Sequence, residues 1–350
     1  MKKQVALGLC LAWAAVFFLA GPSQAVKFRY ENLGTLGGTH PYGSFGYKEV
    51  GINDAGQVVG FSFMTDGAIH AFVKSPGQAM VDLGNIPGST ENRAACINNQ
   101  GIIGGWYSEH SLGYFVYHGC EWLKVGDVYQ RTDLPETMRS VYGINEAGYL
   151  VGGEYHAMVK TPGGLVDLNT LPGGSQSTAT GINRANTIVG FSLDSSYTPT
   201  ACYWTYSNGS FSAAASLLFG GYNPKAFAIN NLGQVVGVTT ISSAYHAVLK
   251  SPGQAMQDLG NLGQNSSYAY DINDSGWVVG HTSFDITAFL WTPDEGMQDL
   301  NNLVVNLPTG VHLNYAFAIN KRGEIAGYTN NSVFKLTPIV SLPSLFLLLD

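Results

Sequence analysis

Residues 272–280 read INDSGWVVG: an Ile-Asn pair, a turn glycine and a closing glycine. Six relatives of that phrase lie along the same chain. They begin at Ile52 (INDAGQVVG), Ile97 (INNQGIIGG), Ile144 (INEAGYLVG), Ile182 (INRANTIVG), Ile229 (INNLGQVVG) and Ile319 (INKRGEIAG). Successive copies start 45, 47, 38, 47, 43 and 47 residues apart. A period in this range marks a stacked or circular array of small units, each too small to bury an apolar face alone. The repeat therefore decides the architecture before any single motif is weighed.

Working outward from the sixth copy, residues 269–272 alternate apolar and polar, and Asn273-Asp274-Ser275-Gly276 makes a turn. A second strand runs over 277–282, a third over 287–291 (TAFLW) and a fourth over 297–300 (MQDL), the last two parted by a Pro-Asp-Glu-Gly turn. Four strands of about five residues with short turns fill the period. No stretch of helical length beyond the first 25 residues carries a 3.6-residue apolar rhythm, so helices are not expected.

The turn glycine recurs at Gly56, Gly101, Gly148, Gly233, Gly276 and Gly323, and the fourth copy places Asn186 there. A type I turn followed by a left-handed residue asks for positive φ at that point, which glycine takes freely and asparagine better than other side chains. The preceding asparagine (Asn53, Asn98, Asn145, Asn183, Asn230, Asn273, Asn320) can close an Asx-type bond onto the turn. The closing glycines, from Gly60 to Gly327, are expected to let neighbouring strands approach near a crowded axis.

The ends separate an open stack from a ring. A DL signature marks the fourth strand at Asp82-Leu83, Asp167-Leu168, Asp258-Leu259 and Asp299-Leu300, more loosely at Asp133-Leu134 and around Ser216-Leu217. The seventh copy ends near Leu336 without one, whereas residues 30–38 (YENLGTLGG) look like the missing strand. An N-terminal strand completing the last unit would close a circle and leave no exposed edge. The sequence thus predicts an all-β, seven-bladed β-propeller of four-stranded blades. Residues 26–336 form its single domain, and residues 28–38 supply the fourth strand of blade seven.

Between the hairpin and the DL strand sits His70-Ala71-Phe72, echoed at His156-Ala157-Met158, His246-Ala247-Val248 and Thr287-Ala288-Phe289. With DLGxxxG and INxxGxVVG, this pattern resembles the bacterial probable extracellular repeat proteins of the HAF family over nearly all of residues 28–336. The resemblance implies an exported repeat protein and no particular chemistry. Copies two (Gly113-Tyr114-Phe115) and four (Thr200-Ala201-Cys202) lack the histidine, which weighs against a repeated ligand role. Members of that family often end in a Pro-Glu-Pro sorting tail; residues 337–350 are apolar with Pro338 and Pro343, but lack the Pro-Glu-Pro and the basic cluster. A degenerate sorting tail and a plain hydrophobic terminus both fit.

Residues 1–25 have the form of a secretory signal: Lys2 and Lys3, an uncharged apolar stretch from Val5 to Ala20, and the small-x-small pattern Ser23-Gln24-Ala25. Export to the cell surface or beyond is expected. Two lysines leave with that segment and no acid does, so the formal charge moves from −7 to −9, an unfavourable sign for nucleic acid or anionic lipid. Three cysteines remain. Cys96 and Cys120 share a repeat and are the better candidates for a disulfide, with Cys202 left over; three buried thiols are the equal alternative.

The chemistry-bearing motifs are missing. Gly43-Ser44-Phe45-Gly46 lacks nucleophile-elbow spacing, and neither HExxH nor a phosphate-binding glycine loop occurs. Asp271-Ile-Asn273-Asp-Ser275-Gly276 opens like a calcium loop, but Thr282 stands where the chelating glutamate belongs. His70, His156 and His246 occupy equivalent places in separate repeats and read as hydrogen-bonding groups within their sheets. Tyr107, Trp122 and Trp204 are candidate rings for stacking on sugars. No catalytic, metal or cofactor residue is assigned. The expected role is a monomeric binding or structural scaffold for extracellular polysaccharide or an envelope protein, and the alternative is a hydrolase or lyase with its site in a central channel.

Overall fold

The structure, a computed structural model, describes residues 26–38, 49–84, 86–111 and 113–339. The signal segment 1–25, the Gly43–Gly46 stretch and tail residues 340–350 lie outside the described residues. Within them the chain is all-β apart from a 3-10 turn at Leu300–Asn302, as the missing helical rhythm requires.

The strands form antiparallel meanders in sequence order. Four-stranded sheets are built from 141–144, 150–152, 157–161 and 164–169; from 222–229, 235–241, 244–250 and 256–258; and from 267–272, 278–282, 287–292 and 296–299. A further one holds 176–182, 188–193, 199–204 and the short 215–216, preceded by a small hairpin pairing Tyr206–Ser207 with Ser210–Phe211. An eight-stranded sheet comprises two meanders, 51–82 and 89–133, joined by one parallel bridge between Ile69 and Glu91. The last sheet takes 313–319, 325–329 and 333–339, and then the N-terminal strand Lys27–Gly34 runs antiparallel to Val333–Ile339. Val304–Val305 pairs along its outer side.

Two boundaries differ from expectation. The N-terminal strand stops at Gly34 rather than 38, where Asn32 Oδ1 accepts from Gly34 N and turns the chain. Thr337–Ile339 belong to the last strand, so residue 336 is not the end of folded structure.

The core lies between adjacent sheets. Val59, Ala71 and Val73 of one meander meet Ala94, Ile103 and Trp122 of the next, and Val151, Val159 and Leu168 meet Ile188, Cys202 and Trp204. Each fully buried side chain of this size stabilises by about 1.5–3 kcal/mol, so the interfaces between sheets dominate cohesion. Tyr107, Trp122 and Trp204 are spent here: all are buried, and the Trp204 indole donates to Leu168 O at 2.7 Å. They cannot offer faces to a sugar.

Cys96 and Cys120 are buried and are not joined in a disulfide. Strand Ile103–Ser111 runs between them, Gly104 pairing with Cys96 and Gly105 with Cys120. Strands two apart are separated by about 9–10 Å, beyond disulfide reach. Burial pushes the Cys120 thiol well up and the Cys202 thiol up to about 12, which keeps both protonated.

Candidate functional site

Two ends of the molecule come into question, and they sit at opposite ends of the same strands. Tyr222–Ile229, for example, starts beside one and ends at the other.

The first end is built by the repeated Ile-Asn phrase. All seven turn positions adopt positive φ, from 58° at Asn186 to 79° at Gly101, as the turn chemistry demands. In every copy the asparagine Oδ1 accepts from the backbone N–H groups two and four residues on, at 2.9–3.1 Å. The Nδ2 side was not foreseen. It donates to the main-chain carbonyl of the next asparagine: Asn53 to Asn98, Asn98 to Asn145, Asn145 to Asn183, Asn183 to Asn230, Asn230 to Asn273, Asn273 to Asn320 and Asn320 to Asn53, all at 3.0–3.3 Å. Each amide oxygen thereby accepts twice and each amide nitrogen donates to the next repeat.

Above that circuit the following residues pair sideways. Asn99 Nδ2 bridges Asp54 (2.6 Å) and Glu146 (2.7 Å), Asn231 donates to Asp274 (2.8 Å), and Lys321 Nζ meets Asp54 (2.8 Å). The opening they surround holds about 180 Å³, a space for a few waters. Its polar groups, the Arg184 side chain apart, are engaged with one another, so this end reads as a structural seam.

At most of the closing glycines neighbouring strands do approach closely. A Cβ at Gly280 would stand 1.9 Å from Tyr268 O, a carbonyl on the partner strand of the same sheet, where a bulge lies between Ala269 and Asp271. Gly105, Gly152, Gly190, Gly237 and Gly327 meet a partner-strand carbonyl in the same way, whereas Gly60 meets the Phe72 ring and the Tyr328 hydroxyl of another sheet.

The histidines of the HAF phrase are likewise internal to their sheets. His70, His156 and His246 each place Nδ1 2.8 Å from Oδ2 of Asp82, Asp167 and Asp258. The other oxygen of each aspartate accepts from the backbone N–H two residues on. The HAF and DL motifs are thus two halves of one contact. Asp271 Oδ2 accepts from Ile319 N, which commits it to a neighbouring strand rather than to a calcium loop. Among the described residues, no three His, Cys, Asp or Glu side chains gather in a metal-holding group.

The second end is a cleft of about 840 Å³. Tyr197, Tyr222, Tyr245 and Phe284 rim it, and Tyr268, Tyr270, Tyr315 and His281 form its wall. Phe284 is 89 % exposed and Tyr197 68 %, and both hold positive φ (89° and 61°), a costly state for bulky side chains. Tyr245 lies 5.6 Å from Tyr268, and Tyr268 stacks on His281 at 5.0 Å and 8°. The one charged side chain on the lining is Lys225, whose ammonium lies 5.1 Å from the Phe191 ring centre and whose pKa is lowered by burial. No carboxylate lines the cleft among the described residues. Sequence reading missed these rings because nothing in a single repeat separates a rim tyrosine from a packed one.

No protein-family model matches the chain, and no curated protein does. Its fold is similar to several solved structures. A puromycin-hydrolysing peptidase of Mycobacterium tuberculosis superposes with a TM-score of 0.55 at 13 % identity, over 88 % of this chain and 58 % of that one. A puromycin hydrolase mutant gives 0.56 at 11 %, over 85 % and 55 %. The virginiamycin B lyase of Staphylococcus aureus gives 0.53 at 12 %, over 89 % of this chain and 100 % of the lyase. The chain spans little more than half the length of the two hydrolases it resembles. At such identities the likeness concerns the fold alone, and that fold is all-β and propeller-like.

Proposed function

We propose that the chain is an exported propeller of seven blades, closed by its own N-terminal strand, that serves as a binding scaffold. Its ligand is an extracellular or envelope polysaccharide, seated in the aromatic cleft. The closed circuit of asparagine bonds and the pairing of Lys27–Gly34 with Val333–Ile339 support the ring. The exported character rests on the signal-like segment and on the resemblance to HAF-repeat proteins.

One observation carries the binding reading: a cleft of about 840 Å³ rimmed by exposed tyrosines and Phe284, with no acid among the described residues of its lining. Aromatic faces attract the C–H faces of sugar rings while their polar edges remain available for hydroxyls. Hydrolase or lyase chemistry would ask instead for converging acids and bases. The hydrolysing and lyase neighbours lend no residue to such a reading at 11–13 % identity.

The test is a glycan array followed by calorimetry, with Tyr222→Ala and Tyr245→Ala beside the wild type. Binding that falls about tenfold or more in each variant, at unchanged melting temperature, is expected. Unaltered affinity in both variants would place the ligand elsewhere.

A further inference from the structure

Several sheets share one register position, opposite the residue that follows the strand glycine. Lys225 pairs there with Val238, Tyr268 with His281 and Tyr315 with Tyr328. Equivalent positions in equivalent sheets present their side chains to the same side. Tyr268 and Tyr315 line the aromatic cleft from this position, and Lys225 lines it with them. A second cation of that row, Arg93 opposite Trp106, is committed to Glu49 and Glu91 at 2.9 and 2.8 Å.

Lys225 is thus the charge that the cleft presents. It is part exposed, and its ammonium lies 5.1 Å from the Phe191 ring centre. Several donors on a long flexible stem let an ammonium hold a ring and meet a ligand together. No carboxylate stands on the lining among the described residues, so the sign of the cleft is positive. Asp194 and Asp285 flank the rim off that lining, and Asp194 Oδ1 accepts from Ser196 N and Thr198 N of its own turn. The chain as a whole carries −7, but exposed charges more than about 8 Å away are screened at physiological salt. Aromatic walls keep water from screening the ammonium, so its pull on an anion is strongest inside the cleft. Burial lowers the Lys225 pKa, a cost to the charged form that a bound anion would offset.

We propose that the cleft takes an acidic glycan, its tyrosines stacking on the sugar rings while the Lys225 ammonium holds a uronate carboxylate. This deepens the binding reading above and rests on it. A neutral sugar offers the same ring contacts but gives the ammonium only a hydroxyl dipole in place of a full charge.

The experiment titrates the full chain and its Lys225→Gln, Lys225→Arg, Tyr222→Ala and Tyr245→Ala variants with hexagalacturonate, hexamannuronate, cellohexaose and mannohexaose. NMR follows the side-chain pKa of Lys225 in the wild type with and without each sugar. At least one uronate hexamer is expected to bind about tenfold or more tighter than both neutral hexaoses. Lys225→Gln should remove that preference and Lys225→Arg should keep most of it. The Lys225 pKa should rise on saturation, because a carboxylate favours the ammonium form. If none of the four sugars binds, or if binding ignores both tyrosine variants, the cleft reading and this inference fall together. If a neutral hexaose binds through the tyrosines as tightly as either uronate, and the Lys225 pKa stays put, only the acidic class is overturned. Uronate binding unaltered in Lys225→Gln overturns the role of Lys225 alone. The pKa arm decides the matter even if the glutamine variant does not fold.

Discussion

Asn320 Nδ2 donates to the main-chain carbonyl of Asn53 at 3.0 Å, joining residues 267 positions apart by the contact that links every neighbouring pair of repeats. Asn53 in turn donates to Asn98, so the chain of seven amides returns to its start. A stack with two free ends would leave the first carbonyl and the last amide unmatched. The same geometry recurs at a split of 38 residues and at splits of 47. Insertions therefore sit away from this seam, and the seam holds its shape.

Asn273→Ala should be far more harmful than an exposed substitution. It strips two acceptor bonds to the Ser275 and Trp277 amides and one donor bond to Asn320 O, all in a buried site. A loss of about 2–4 kcal/mol is expected from the orphaned backbone groups. Urea denaturation checks it, against Glu136→Ala in an exposed turn, which should move little.

Linking the N-terminal strand covalently to its partner should stabilise the protein. Arg29 and Thr337 face each other in the antiparallel register. Arg29→Cys with Thr337→Cys closes nearly the whole chain into one loop, worth about 5–6 kcal/mol by loop entropy when the geometry accepts the bridge. The oxidised protein should resist more denaturant than the reduced one, with the three buried native thiols unaltered.

The three His–Asp pairs should differ in weight. All measure 2.8 Å, but the His70 side chain is 10 % exposed and that of His156 43 %. Solvent discounts the exposed pair to well under 1 kcal/mol, while truncating His70 also removes a well-buried ring beside Asp82, which is itself one-third exposed. His70→Ala should therefore cost about 1 kcal/mol more than His156→Ala in thermal or chemical melts.

Much of this was readable before any coordinates, for physical reasons that can be named. A turn needing positive φ leaves Gly or Asn in the sequence, so Gly56 and Asn186 announced it. Alternation and DL-type endings announced strands, and the sixth repeat has its four within a residue or two of where they were expected. What escaped was whatever depends on the next repeat in space. The outward bond of each asparagine and the tyrosines that line one cleft arise between units. The burial of Trp122 and Trp204 belongs here too: a large ring looks the same on paper whether it faces water or a neighbouring sheet.

Acid should weaken the fold partly through His281. Burial depresses its pKa from 6.5 to about 3, so the native state stays unprotonated where the unfolded chain takes up a proton. The sign follows: stability is fully present above about pH 6.5 and is lost as pH falls toward 3, at about 1.4 kcal/mol per pH unit at most. His281→Phe should flatten that part of the curve while leaving the neutral-pH melting temperature level or raised. A wild-type curve that runs parallel to the variant between pH 6.5 and 4 contradicts the buried neutral imidazole.

Soaking crystals of the full chain with the tightest-binding oligosaccharide addresses the central claim most directly. The account predicts sugar density between Tyr222, Tyr245 and Phe284, and none at the asparagine seam. Density at that seam, or on the outer strands with the cleft left to solvent, would contradict it.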